Sequence, residues 1–266
     1  MSKTRVHDIE IAYDDEGAGP PVVLLHGYPF NRSMWADQTQ ALRNSQRVIV
    51  PDLRGHGESE VAAATIEAMA RDIGALMTSI GISEAAICGL SMGGYIALAF
   101  YRLFPERVRA LVLADTRASA DTDEVKQNRK KQAERALREG MEGIANDLLP
   151  KLLRPQTLEK RAEIVDRVRQ MMVETKPEGA AAALKAMGER DDQMALLSRI
   201  VAPTLILVGR DDVITPIKDS ELMHREIQGS RLEVIEGAGH VSNIEQPEHF
   251  NRALLNFLLD GDRGTI

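Results

Sequence analysis

Seven short runs of β-branched and other apolar residues, each bounded by turn-forming residues, set the rhythm of this chain. They are VHDIEIAY (6–13), PVVLLHG (21–27), RVIVPD (47–52), AAICGL (85–90), RALVLAD (109–115), TLILVG (204–209) and RLEVIEG (231–237), and each predicts a strand. The first alternates apolar and polar positions, the pattern of a half-buried strand near a sheet edge. The others are nearly continuously apolar, as strands covered on both faces are. Between them the spacing turns helical. Ile66, Met69, Ile73, Leu76 and Ile80 place one stripe on a helix over 65–80. A second helix begins after Ser91, aligns Ile96, Phe100 and Leu103, and stops before Pro105, while Phe250, Leu254, Phe257 and Leu258 share a face of the last helix. Strands alternating with crossover helices predict an α/β fold, a mostly parallel central sheet with helices on both faces.

The rhythm breaks between Arg117 and Val201, where no strand candidate occurs and the chain becomes charged, helical and punctuated by Gly140, Gly143, Pro150, Pro155, Pro177 and Gly179. The expected organisation is a core of residues 1–117 and 201–266, interrupted by a helical cap over 118–200. That insertion has no aromatic residue; Met141, Met171, Met172, Met187 and Met194 supply much of its apolar surface. Such adaptable side chains either line a loosely defined pocket or pack the helices together. The basic run RKKQAER (129–135), flanked by Asp121, Asp123, Glu124 and Glu139, reads as a solvated helix face.

Within AAICGLSMGGYIALAF (85–100) one hydroxyl, Ser91, stands among small and apolar residues. Gly89-Leu90-Ser91-Met92-Gly93 fits Gly-x-Ser-x-Gly, a pattern that chance produces in roughly one chain in ten of this length. Its position is more telling, because it falls between a predicted strand and a predicted helix, where a nucleophile elbow presents a serine at the carboxyl edge of a sheet. The alternative is that Ser91 only caps the helix. A serine needs a base to become nucleophilic. Of six histidines, His240, in the glycine-flanked loop GAGHVSNIEQPEHF after the last strand, is best placed; His7, His224 and His249 lie within predicted elements, and His26 and His56 in LHGYPF and DLRGHGES. The imidazole in turn needs a carboxylate. Asp212 is favoured by chain order and by Gly-x-x-Asp spacing after TLILVG, with Asp211 and Asp115 as alternatives. The backbone N–H groups of Met92 and Tyr28 are the candidate oxyanion donors, and Tyr28, Phe30 and Trp35 offer rings to a substrate pocket.

Composition narrows the partners. With 44% apolar and 27% charged residues the chain reads as an ordinary globular domain, and a net charge of −7 with no aromatic-interleaved basic stripe argues against nucleic acid. One cysteine, Cys88, allows no internal disulfide and agrees with a reducing compartment. The first residues lack the apolar core of a signal peptide, and no run of 18 apolar residues could span a bilayer, so a cytoplasmic location and no membrane partner are expected. Neither zinc-type ligand spacing nor a phosphate-binding loop occurs, so no metal or organic cofactor is expected. The sequence assigns no oligomeric state.

Taken in order, LHGYPF, DLRGHGES, GLSMGG, GRDDVITP and GAGHVSNIEQPEHF resemble the α/β-hydrolase superfamily over nearly the full length, with 118–200 in the place of its variable cap. The closing motif is similar to that of 3-oxoadipate enol-lactonases and GLSMGG to that of small arylesterases with perhydrolase activity. The resemblance implies hydrolysis of a small-molecule ester or lactone through an acyl-enzyme on Ser91. A carbon–carbon bond hydrolase or perhydrolase using the same triad, and a ligand receptor on the same scaffold, are the alternative expectations.

Overall fold

The computed structural model describes residues 1–263. Among the described residues eight strands form one sheet: β1 (Ser2–Val6), β2 (Ile9–Glu16), β3 (Pro21–Leu25), β4 (Arg47–Pro51), β5 (Ala85–Leu90), β6 (Val108–Ala114), β7 (Thr204–Gly209) and β8 (Arg231–Ile235), in the order β1-β2-β4-β3-β5-β6-β7-β8. From β4 to β8 the pairing is parallel; β1 and β2 pair antiparallel with each other, and β2 with β4. The mostly parallel sheet is as the sequence predicts, with one correction. The run VHDIEIAY is not one strand, because His7 takes a positive φ of 49° and turns the chain between Val6 and Ile9, which pair across a two-residue hairpin. Its trace in the sequence is slight: His7 and Asp8 are two polar positions in a row, where the alternation slips by one residue. Lys3 and Arg5 then give the outermost strand charged positions, which disfavour further edge pairing.

The helices are α1 (Ala36–Leu42), α2 (Ile66–Ser79), α3 (Met92–Leu103), α4 (Asp123–Glu139), α5 (Glu142–Leu152), α6 (Pro155–Lys160), α7 (Ala162–Val173), α8 (Pro177–Gly188), α9 (Met194–Leu197), α10 (Ile217–Glu226), α11 (Ser242–Glu245) and α12 (Pro247–Arg263). Thr65 accepts the Ala68 N–H and so caps α2 one residue into the predicted span. Two apolar cores form, one on each face of the sheet. Residues of α2, α3 and α10 fill the first, and residues of α1 and α12 the second. The strands between them, β5 and β7, are buried at every position, which explains their unbroken apolar runs. Among the described residues no helix is long and apolar enough to cross a membrane.

Helices α4 to α9 all lie between β6 and β7. They lean on the loops at the carboxyl ends of the strands: Thr175 Oγ1 donates to Pro29 O (2.7 Å), Leu152 O accepts the His240 N–H (2.9 Å), and Gly179 packs backbone to backbone on Gly55. Met141, Met171, Met172 and Met187 are buried in the two cores, where they pack helix against helix. Lys130, Lys131 and Glu134 are exposed, as a solvated face requires, but Arg129 turns inward onto Asp121.

Candidate active site

Parallel register makes the strand ends level. Leu25 pairs with Gly89, Leu90 with Ala114, Ala114 with Leu207 and Gly209 with Ile235, so the residues that follow each strand share one edge beneath the insertion. Ligands of open α/β sheets bind at such an edge.

Ser91 occupies φ 55°, ψ −114°, a conformation that costs a non-glycine residue on the order of 1–3 kcal/mol. The surroundings hold it there. Its N–H donates to Ala114 O (2.9 Å), and its carbonyl accepts from Thr116 Oγ1 (2.8 Å) and from the Gly94 N–H (2.9 Å) at the start of α3. A Cβ on Gly89 would lie 2.1 Å from Gly93 O, and one on Gly93 would lie 2.1 Å from Leu25 O. Strand β5, helix α3 and strand β3 therefore close on a turn where no side chain fits. The Ser91 side chain makes no capping bond to α3, which removes the helix-cap alternative. Its Oγ lies 2.8 Å from His240 Nε2 instead.

His240 Nδ1 lies 2.8 Å from Asp212 Oδ2. Asp212 is saturated: Oδ1 accepts the N–H groups of Ile214 (2.8 Å) and Thr215 (3.0 Å), and Oδ2 also accepts from Thr215 Oγ1 (2.6 Å). Burial works against its charge, but His240 and the bonds from Thr215 outweigh that and hold its carboxyl below the usual range. For the buried imidazole the balance is the mirror image. Desolvation disfavours its cation, yet the charge and hydrogen bond of Asp212, with Asp115 behind, raise it above its ordinary value, and Arg117 opposes them. Of the three carboxylates the sequence offers, Asp212 is the one bonded to His240. Asp211 points outward and pairs with Arg154 Nε at 2.6 Å. Asp115 is wholly buried and pushed well up by that burial and by the charge of Asp212, and it bonds the Gly209 N–H and the Ser242 hydroxyl.

The other buried histidines tie loops together. His26 donates from Nδ1 to Gly27 O (2.9 Å) and accepts the Leu53 N–H on Nε2 (3.0 Å); His56 donates from Nδ1 to Arg54 O (3.1 Å). Their rings meet edge to face at 5.1 Å. Burial pushes His26 down to about 4, and burial with the neighbouring His26 pushes His56 to about 3, so both are neutral at physiological pH.

The loop after β3 runs against the serine, since a Cβ on Gly27 would lie 3.3 Å from Ser91 Cβ. The Gly27 N–H goes to Met34 Sδ (3.3 Å) and the Phe30 N–H to Gly27 O (3.0 Å). Among the described residues the N–H groups of Tyr28 and Met92 donate to no acceptor. The latter opens α3, whose dipole favours negative charge at that end. The Tyr28 ring is buried edge-on to His56 at 6.4 Å, and its hydroxyl, which burial makes a weaker acid, has no hydrogen-bond partner among the described residues. Phe30 and Trp35, expected to line the pocket, are both in the core. Trp35 is wholly buried against Phe250 at 6.0 Å, and Phe30 belongs to the same apolar cluster as Leu149, Leu152, Met171 and Met172 of the insertion.

Sequence reasoning missed Thr215 and Thr116, which fix Asp212 and the Ser91 carbonyl. Thr215 was findable, because an Asp followed three residues later by Thr is a local turn signature; Thr116 reaches back across a strand and leaves no local trace.

A family model described as alpha/beta hydrolase fold matches residues 20–247. The chain is 32% identical over 251 residues to 3-oxoadipate enol-lactonase 2 of Acinetobacter baylyi, covering 93% of this chain and 92% of that protein. Among solved structures it resembles a thermophilic esterase from Thermogutta terrifontis with malate bound (TM-score 0.93, 44% identity, 95% of this chain and 94% of that one). It also resembles the enol-lactonase from Burkholderia xenovorans (TM-score 0.91, 30% identity, 97% and 100%).

Proposed function

The chain belongs to the α/β-hydrolase family, and from that premise we propose that it is a carboxylic ester hydrolase that cleaves esters or lactones of small molecules through an acyl-enzyme on Ser91. The observation that carries the reading is the relay in which His240 bridges Ser91 Oγ and Asp212 Oδ2 at 2.8 Å on each side. Kinship with an enol-lactonase and an esterase supports the substrate class.

In the proposed cycle neutral His240 takes the Ser91 proton on Nε2 while Oγ attacks the substrate carbonyl. Negative charge moves to the carbonyl oxygen, where the N–H groups of Met92 and Tyr28 receive it; each such donor is worth about 3–4 kcal/mol to the transition state. Asp212 holds the Nδ1 proton and faces the imidazolium. His240 then protonates the departing alkoxide, which in a lactone stays attached to the acyl group. Water, deprotonated by the same nitrogen, attacks the ester carbon and releases the acid, and the proton returns to Ser91. Every step uses side chains and backbone of this chain. Residues 118–200 form the cap that selects the substrate over a core of 1–117 and 201–266.

The test is turnover of short-chain p-nitrophenyl esters and a lactone panel by the purified protein and by Ser91→Ala. Hydrolysis by the parent and its disappearance in the variant are expected. Full turnover by Ser91→Ala would end the proposal.

A further inference from the structure

His240 sits in a loop with every reason to move. Gly237 and Gly239 precede it, and Gly237 takes a positive φ of 76°. Yet the imidazole must gain and lose a proton twice per turnover while staying within hydrogen-bond range of two partners, and a displacement of about 1 Å in such a site costs on the order of 10²-fold in rate. Two buried carboxylates that the proposed reaction does not use lie on either side of it. Asp115 is wholly buried; its Oδ1 accepts the Gly209 N–H (2.8 Å) and its Oδ2 accepts the Ser242 hydroxyl (2.5 Å). Glu245 is 1% exposed; its Oε2 accepts the Gly239 N–H (2.6 Å) and its Oε1 accepts the Arg154 N–H (3.1 Å). Among the described residues neither carboxylate forms an ion pair within 4 Å. Burying a carboxylate without a cation is costly; here each is matched by two donors drawn from different parts of the chain.

Those parts are informative. Gly239 precedes the histidine by one residue and Ser242 follows it by two. Gly209 ends the strand that leads to Asp212, and Arg154 lies at the joint between α5 and α6, next to Leu152, whose carbonyl takes the His240 N–H. We propose that Asp115 and Glu245 are positioning residues that clamp the His240 loop from both sides, Asp115 to the strand end carrying Asp212 and Glu245 to the α5–α6 joint. The inference rests on the Ser91–His240–Asp212 reading. The charged groups facing His240 are Asp212 from the β7–α10 loop, and Asp115 and Arg117 from the segment that follows β6. Of these, Asp212 is the one in direct contact, so loosening the clamp weakens what raises the imidazole.

The experiment compares the full-length protein with Ser242→Ala, Glu245→Gln, Asp115→Asn and Asp115→Ala. Each is assayed for kcat and KM on p-nitrophenyl acetate across pH, with competent serines counted by titration with a p-nitrophenyl phosphonate. Ser242→Ala removes one bond and leaves both carboxylates in place, and Glu245→Gln offers one acceptor to two N–H groups. In both, kcat per titrated serine falls about 5- to 50-fold at unchanged KM, and the acid limb of kcat/KM moves to lower pH. Asp115→Asn still accepts the Gly209 N–H and donates its amide to the Ser242 oxygen, so it stays within about threefold of the parent, whereas Asp115→Ala loses about tenfold or more. Fewer titratable serines with unchanged kcat per serine and an unmoved acid limb would reduce the two carboxylates to a folding role and overturn the clamp. Equal losses in Asp115→Asn and Asp115→Ala would overturn it too, by assigning the effect to charge. Failure of the underlying reading looks different: the phosphonate would leave the parent's Ser91 unlabelled.

Discussion

Replacing Asp212 by Asn exchanges one oxygen for nitrogen and inverts two hydrogen bonds. The amide oxygen keeps the N–H groups of Ile214 and Thr215 that Oδ1 accepts, and the amide nitrogen takes the place of Oδ2, where it can donate to Thr215 Oγ1. Packing is preserved. At His240 the same nitrogen presents N–H to Nδ1, which must then act as acceptor, and the ring proton moves to Nε2. Nε2–H now faces Ser91 Oγ across 2.8 Å and has no lone pair to take its proton. The imidazolium also loses its counter-charge. This wrong-tautomer effect is on the order of 10⁴ in kcat, or about 5 kcal/mol of transition-state stabilisation. The assay is kcat for a p-nitrophenyl ester, with circular dichroism and a melting curve to show that the variant is folded. Asp211→Asn, which breaks an exposed pair with Arg154, serves as the control and stays within a few-fold of the parent. If folded Asp212→Asn loses less than about tenfold, the carboxylate assignment is wrong and the tautomer argument falls with it.

Three further outcomes follow from the same geometry. Because Asp212 raises His240 above its ordinary 6.5, and the base works only when neutral, the acid limb of kcat/KM lies above pH 6.5; a limb below 6 would contradict the pairing. His26 and His56, buried neutral at about 4 and about 3, give stability that is complete above pH 6.5 and lost as pH falls toward those values, because the unfolded chain binds the protons first. At pH 5 the loss is roughly 2 kcal/mol for each, about 4 together, read from urea unfolding at pH 7 and pH 5; a histidine-to-asparagine change at position 56 that leaves the slope with pH unaltered would refute this. Gly93→Ala drives a Cβ to 2.1 Å from Leu25 O, backbone that cannot yield cheaply, so it costs about 1–3 kcal/mol in unfolding free energy and most of the activity; unaltered melting and turnover would show that the elbow is looser than described.

The parallel sheet was legible because strands buried on both faces, such as β5 and β7, leave short continuous apolar runs, and their length and flanking turn residues separate them from buried helix. The hairpin of β1 and β2 was not, since its one trace is a single slip of the alternation at His7 and Asp8, and that pair is not one of the usual hairpin-turn dipeptides. Ser91 and His240 stood out through their glycines. Chain order and the Gly-x-x-Asp spacing already favoured Asp212, but Asp211 and Asp115 stayed open in the sequence, and it is the way adjacent Asp211 and Asp212 face that separates them. Phe30 and Trp35 lie in the apolar core, Trp35 against Phe250, a placement that their position in the sequence after β3 does not disclose. The bonds of Glu245 to Arg154, 91 residues apart, and of Asp115 to Ser242, 127 apart, have no local signature at all.

The α5–α6 joint has a consequence for how this enzyme can diverge or be recombined. Exposed residues of α4 and α8 can be exchanged for those of a relative without touching the main-chain groups that hold the His240 loop. Leu152 and Arg154 offer their main-chain groups to the histidine loop, so a chimera whose crossover falls between them and that loop must bring a partner joint of the same length and hydrogen-bonding polarity. A graft confined to α4 or to α8 leaves those two main-chain groups in place, whereas one that lengthens or shortens the joint by a residue carries them away from the histidine loop.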